Sequence, residues 1–125
     1  MVKGALSRLA KMGGRDLALE LLDRFLLEGP QHLEQAREAL QGKDTLALQH
    51  HFHRICSDAG WLGASDVQAI ASRAEILAEK AQLEELGSIL DQLSELCYAV
   101  CMTLEQEKIR LLDPEYRPSR EIVPP

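Results

Sequence analysis

Leu48-Gln49-His50-His51-Phe52-His53-Arg54-Ile55-Cys56-Ser57-Asp58-Ala59-Gly60-Trp61-Leu62-Gly63-Ala64 is the stretch that decides how this chain folds. Leu48, Phe52, Ile55, Ala59 and Leu62 recur at intervals of four and three, which lays them along one stripe of a helix. The spacing predicts a helix over 45–62 with that stripe buried, closed by a turn at Leu62-Gly63-Ala64. The stretch also holds three of the four histidines and the one tryptophan. Stepping 100° per residue from the seam puts His53 about 140° from the core direction. Ser57 falls nearly opposite the core, and Gly60 and Trp61 point broadly the same way. His50 faces outward, whereas His51 lies closer to the seam. The outward face therefore presents His50, His53, Ser57 and Gly60 in order.

The rest of the chain repeats this amphipathic pattern. Residues 3–12 read as a short helix ended by Gly13-Gly14. Asp16 stands near the start of a long helix over 16–41, with Ala18, Leu22, Phe25, Leu33, Ala36 and Leu40 on one stripe. Pro30 lacks the amide that would bond residue 26, so Gly29-Pro30 predicts a kink or a brief break. Gly42 reads as a helix stop and Asp44 as the N-cap of the 45–62 helix. After the turn, Ser65 and Gln68 have the spacing of a capping box. They open a helix whose expected seam is Val67, Ile70, Ala74, Leu77 and Ala81. A joint near Ala81-Gln82 leads to a last helix over about 83–112, with Leu86, Leu90, Leu93, Cys97, Val100 and Leu104 on its inner face. Its final turns are expected to overhang the bundle. The tail over 113–125, with Pro114, Pro118, Pro124 and Pro125, is expected to be extended or disordered.

No alternating apolar pattern suggests a strand. Four amphipathic helices with short joints imply an all-α fold over 1–112: an antiparallel up-down-up-down four-helix bundle, with the short N-terminal helix capping one end.

Composition agrees. The apolar share of 46% suits a packed core, and only 4% is aromatic, so Leu, Ile, Val and Ala must fill it, which favours helices. A net charge of -6 with no basic run argues against nucleic acid or an anionic membrane surface as partner. No apolar run is long enough to span a bilayer, and the start leads into no apolar signal-peptide core. The expectation is a cytoplasmic monomer. Cys56, Cys97 and Cys101 form no Cys-x-x-Cys pair. Cys97 and Cys101, one turn apart, read as small apolar fillers.

An outward imidazole flanked by small residues has a chemical use. Its neutral form is a good nucleophile near neutral pH, and its phosphoramidate passes a phosphoryl group readily to a carboxylate. Donor and acceptor must meet in line between two protein surfaces, which a bulky neighbour would obstruct. The plain alternative is a surface histidine near a helix end rich in small residues.

His53-Arg-Ile-Cys-Ser-Asp-Ala-Gly-Trp-Leu-Gly-Ala64 resembles the signature of histidine phosphotransfer (HPt) domains of multistep phosphorelays, roughly H-x-L-K-G-S-[SA]-x-x-[LI]-G-A. Phe25-Leu-Leu-Glu-Gly-Pro30, Leu33 and the Gly42-Lys43-Asp44 joint are similar to the stretch that precedes the histidine helix in that family, so the likeness covers about residues 5–105. The resemblance implies that His53 is the phosphoacceptor. It also implies response-regulator receiver domains or a hybrid sensor kinase as partners. The receiver would supply the aspartate and the magnesium ion, so this chain would need no cofactor and act as a phosphoryl carrier rather than a self-sufficient enzyme.

Two positions depart from the pattern: Cys56 stands where the family has lysine, and Ser57 where it has glycine. Cys56 brings no positive charge, and Arg54 points about 100° away around the helix. Ser57 is small, and its hydroxyl has hydrogen-bonding capacity toward the imidazole or phosphate. Arg54, Cys56, Ser57 and Gly60 thus make up the expected surroundings of the phosphoryl group, and His50 and Trp61 a docking surface. Trp61 would either anchor a partner or fold over the helix end beneath the N-terminal helix. His32 reads as structural or as a surface residue. The departures motivate an alternative, a degenerate module that binds a receiver or kinase without transfer. A metal-dependent bundle enzyme fits worse: no Glu-x-x-His pair occurs, and His50-x-x-His53 lacks a carboxylate shell.

Overall fold

A computed structural model of the chain describes residues 1–118. Four helices carry them: α1 (Val2–Gln41), α2 (Thr45–Trp61), α3 (Ser65–Glu79) and α4 (Leu86–Leu112). The contacts close a ring, α1 on α2, α2 on α3, α3 on α4 and α4 back on α1. The described residues contain no strand.

The seam of α2 is as the spacing predicts. Leu48, Phe52, Ile55, Ala59 and Leu62 are all buried, facing Leu22, Phe25, Leu90 and Leu93 in one core. Full burial of each large side chain contributes about 1.5–3 kcal/mol. The inner face of α3 is partly the expected one: Val67 and Ala74 are buried, but Ala71 and Ala78 join them where Ile70 and Leu77 were expected, and those two are only partly covered. Small alanines let α2 and α3 approach closely, and the branched residues fill the shoulders of the groove. Ala81 belongs to the turn, not to the seam.

Pro30 does not break α1, whose backbone stays helical through Gly29 and Pro30. The interruption is at Gly13 and Gly14, where Gly14 takes φ 83° and ψ 172°, a region open to glycine and strained for other residues. Residues 2–12 thus pack as a separate helical segment, burying Val2, Leu6, Leu9 and Ala10.

Three joints end in the same way. The amide of Asp44 bonds the carbonyl of Ala39, that of Ala64 bonds Ala59, and that of Gln82 bonds Leu77, at 2.8–2.9 Å. Each closure requires one left-handed residue. These are Lys43 (φ 53°), Gly63 (φ 70°) and Ala81 (φ 55°). Gly42 is only the helix cap, with right-handed angles. Asp44 caps α2 as expected, its Oδ1 accepting the Ala47 amide at 3.1 Å. The Ser65–Gln68 capping box does not form: Ala64 holds the cap position without a side-chain bond.

The end of α4 does not overhang. Leu104 and Leu111 are buried, and Leu111 lies beside Leu6, Ser7 and Tyr116. The tail opens on Asp113 with extended backbone angles. Asp113 starts a turn closed by the Tyr116 amide at 3.0 Å. Arg15 donates to the Asp113 carbonyl at 3.1 Å and stands 5.8 Å from the centre of the Tyr116 ring. Residues 119–125, including Pro124 and Pro125, lie outside the described residues. Among those described, no helix is long and apolar enough to cross a membrane.

Candidate functional site

His53 sits midway along α2, on the face turned away from the Phe52–Ile55 seam. Its side chain is 66% exposed. It is not bare, because Glu75 reaches across from α3 and sets its two carboxylate oxygens 3.2 and 3.4 Å from Nδ1. An ionised carboxylate only accepts. The neutral ring is therefore held with its proton on Nδ1 and its lone pair on Nε2, the nitrogen facing away from Glu75. The site is thus an oriented nucleophile with an open approach on one side.

The charge beside the ring is negative, where the resemblance anticipates a lysine. Cys56, one turn on, is partly buried. Burial and then the nearby Glu75 carboxylate push its thiol above the ordinary range, so it stays protonated and uncharged near neutral pH. Arg54 turns the other way, toward Glu28 on α1, 3.9 Å from its Oε2. Glu75 is the residue that sequence reading missed. A helical wheel of α3 alone gives no reason to choose it, since its partner depends on the register between α2 and α3.

Ser57 is exposed and Gly60 partly covered, and both open onto a cleft against the N-terminal segment. Arg8, Met12, Trp61 and Gln68 complete its walls. Trp61 is 55% exposed while also lining this cleft, so it borders the N-terminal helix without being covered by it.

The other three histidines form a separate group. His32 Nδ1 and His51 Nδ1 are 2.9 Å apart, and the exposed His50 ring lies 5.1 Å from His51 and 6.2 Å from His32. Burial lowers the pKa of both His32 and His51; neighbouring positive charge adds to it, while at His32 the Glu28 carboxylate opposes the shift without cancelling it. His50 thus belongs with the α1–α2 groove rather than with His53. Among the described residues, no three His, Cys, Asp or Glu side chains are placed to hold a metal ion. Cys97 is buried with its thiol pushed up to about 12 by desolvation, an inert core filler.

An exposed, oriented imidazole on a helical bundle gives the comparisons with known proteins a specific meaning. No curated protein matches the chain. Among solved structures, the crystal structure of histidine-containing phosphotransfer protein B (HptB) from Pseudomonas aeruginosa PAO1 is similar, with a TM-score of 0.79 and 25% identity, covering 85% of this chain and 91% of that one. The model of the Hpt domain family matches residues 20–113. That segment holds α2, α3 and α4 whole, with His53 and Glu75 in it, and the chain belongs to the Hpt domain family.

Proposed function

We propose that this chain is a histidine phosphotransfer protein that takes a phosphoryl group onto His53 from an aspartyl-phosphate receiver domain and relays it to another response regulator. The observation that carries the reading is the exposed His53 ring with Nδ1 engaged by Glu75 and Nε2 free to attack. In the forward step the Nε2 lone pair forms the N–P bond as the acyl-phosphate O–P bond breaks, and the donor aspartate leaves as a carboxylate. The ring becomes cationic, and its Nδ1 proton stays shared with Glu75. Transfer to the next aspartate reverses these events. The likeness to HptB and the family match support the assignment.

The bundle is read as up-down-up-down and antiparallel, with 2–12 as a cap at the Gly63 end. In support, Asp23 pairs with Lys108 and Arg37 with Asp91, so numbering rises along α1 as it falls along α4. Receiver domains or a hybrid kinase would dock over the α2 face, with Trp61 at its edge and His50 near it. The protein is read as a cytoplasmic monomer that needs no cofactor of its own.

The test is labelling by a phosphorylated receiver. Acid-labile, base-stable phosphate on the chain is expected, and none on His53→Gln. Equal labelling of that variant would remove His53 as the site. A second reading, a receiver-binding module without transfer, is favoured by the carboxylate of Glu75 standing beside His53 while Arg54 turns to Glu28. Binding to a receiver with no transfer in either direction at long times would select it.

A further inference from the structure

His53 and Glu75 join α2 to α3. On the other side of the ring of helices, α1 and α4 leave a groove between them. Pro30, Leu33 and Glu34 of α1 and Cys97, Tyr98 and Cys101 of α4 line a hollow of about 440 Å³ there. Arg37 and Ser94, which also line it, are bonded to each other at 3.1 Å. The apolar surface continues beyond the groove along α4. Tyr98, Met102, Glu105 and Ile109 follow at intervals of four, three and four, which lays them on one stripe. Tyr98 is 69% exposed, and Met102 and Ile109 are exposed as well. On α1, Leu27 is exposed one turn before Pro30. Single exposed apolar residues are ordinary, but a run of them beside an apolar groove marks an interaction surface.

The rim of this surface is acidic on both sides. Glu34 lines the groove from α1. Glu105 stands beside Cys101 on α4: burial, and then the Glu105 carboxylate, push the Cys101 thiol above its ordinary range. Arg37 and Lys108, which bridge the two helices, are already ion-paired, with Asp91 at 2.9 Å and with Asp23 at 2.7 Å. Glu34 and Glu105 form no ion pair among the described residues. A second copy docked face to face would bring the same carboxylates against each other, and an anionic membrane surface would be repelled. A cationic helix fits both features. Apolar residues three and four apart would lie in the groove, and lysines or arginines on the flanks would meet Glu34 on one side and Glu105 on the other.

We propose that the α1–α4 groove is a docking site for a basic amphipathic helix of a partner protein, with Tyr98 as the apolar anchor and Glu34 and Glu105 as the charge contacts. Tyr98 suits an anchor because its ring offers a large apolar area and its hydroxyl a polar tip. The site is independent of the role of His53. It lies across the bundle from it, so a helix held there leaves the α2 face open to a receiver domain.

The experiment titrates the full chain with a synthetic peptide of leucine and lysine whose leucines are spaced three and four apart on one helical stripe. Backbone amide shifts locate the site, and fluorescence anisotropy of the labelled peptide gives the affinity. Saturable binding is expected, with shifts gathered on residues 30–37 and 94–105. Tyr98→Ala should weaken it about tenfold. The double variant Glu34→Gln, Glu105→Gln should weaken it by roughly threefold to tenfold at low salt, and by less as salt is raised. A second double variant, Glu79→Gln with Glu84→Gln, removes the same charge from exposed positions at the α3–α4 joint and should bind like the parent. Tyr98, Glu34 and Glu105 are exposed, and unchanged melting of the variants separates contact from folding. Four results would each overturn the proposal: no saturable binding, equal binding of a scrambled peptide of the same composition, shifts gathered on another face, or equal weakening by the two double variants. Sedimentation of the chain alone adds a fifth. A dimer that Tyr98→Ala dissolves would make a second copy the occupant and exclude the basic helix.

Discussion

Replacing Gly63 with alanine tests how the N-terminal segment is held. Two costs are separable. The first is conformational: at φ 70° an alanine loses about 1–2 kcal/mol relative to glycine. The second is steric: a Cβ at this position would stand 2.7 Å from the carbonyl oxygen of Met1 and 2.9 Å from Cβ of Ala5. One of these neighbours is main chain, so the N-terminal helix itself must move, and forced overpacking of this kind costs about 1–3 kcal/mol. Gly63→Ala should therefore destabilise by about 2–5 kcal/mol, with melting lowered by roughly 6–20 °C for a domain of this size. The molecule carries its own control. Ala81 occupies the same left-handed position in the same closing motif, and it is exposed. Ala81→Gly should return only the conformational part, about 1 kcal/mol. Urea denaturation of both variants, compared at equal slope, gives the difference. If Gly63→Ala costs no more than Ala81→Gly returns, the turn does not clamp the N-terminal helix and the steric argument is wrong.

Three further outcomes are expected. Glu75→Gln keeps a hydrogen-bonding partner for His53 but removes the charge, so the phosphohistidine should survive about twofold to threefold longer; an unchanged or shorter half-life would show that the carboxylate does not act on the phosphate. Cys56→Lys should speed phosphorylation several-fold at low salt and leave stability within about 1 kcal/mol, since a lysine stem at a half-buried position carries its ammonium out to water; slower labelling would count against a charge deficit at the site. The third outcome concerns pH. His32 and His51 have lowered pKa values, so the unfolded chain binds protons at these positions before the folded one does. Stability from this source is full above the ordinary histidine range near 6.5 and is lost as pH falls through the depressed folded values. Melting temperature should drop between pH 7 and 5, and a His32→Gln, His51→Gln double variant should show a flatter profile.

The interval of four and three along Leu48–Leu62 sufficed to place α2 and its buried face, because large apolar residues mark that seam without ambiguity. The same method placed only part of the seam of α3. Val67 and Ala74 are buried there as expected, but Ala71 and Ala78, with a weak hydrophobic signal, were outweighed by Ile70 and Leu77 on the shoulders. Pro30 was over-read as a break because one missing amide is cheap where tertiary packing holds both flanks: Phe25 and Leu33 are buried on either side. The position and exposure of His53 were legible in α2 alone. Its partner was not, since Glu75 meets it only through the packing of two helices.

The N-terminal segment also sets where this protein can be cut. The family match begins at residue 20, yet Val2, Leu6 and Leu9 are buried and Leu111 lies against the same segment. A fragment trimmed to the matched boundaries would expose apolar surface at the ends of α2 and α4. It would also lose the wall of the cleft beside Ser57. Such a fragment is expected to aggregate or to associate through the uncovered end, so a well-behaved version of this domain keeps the segment 2–12 with its buried Val2, Leu6 and Leu9.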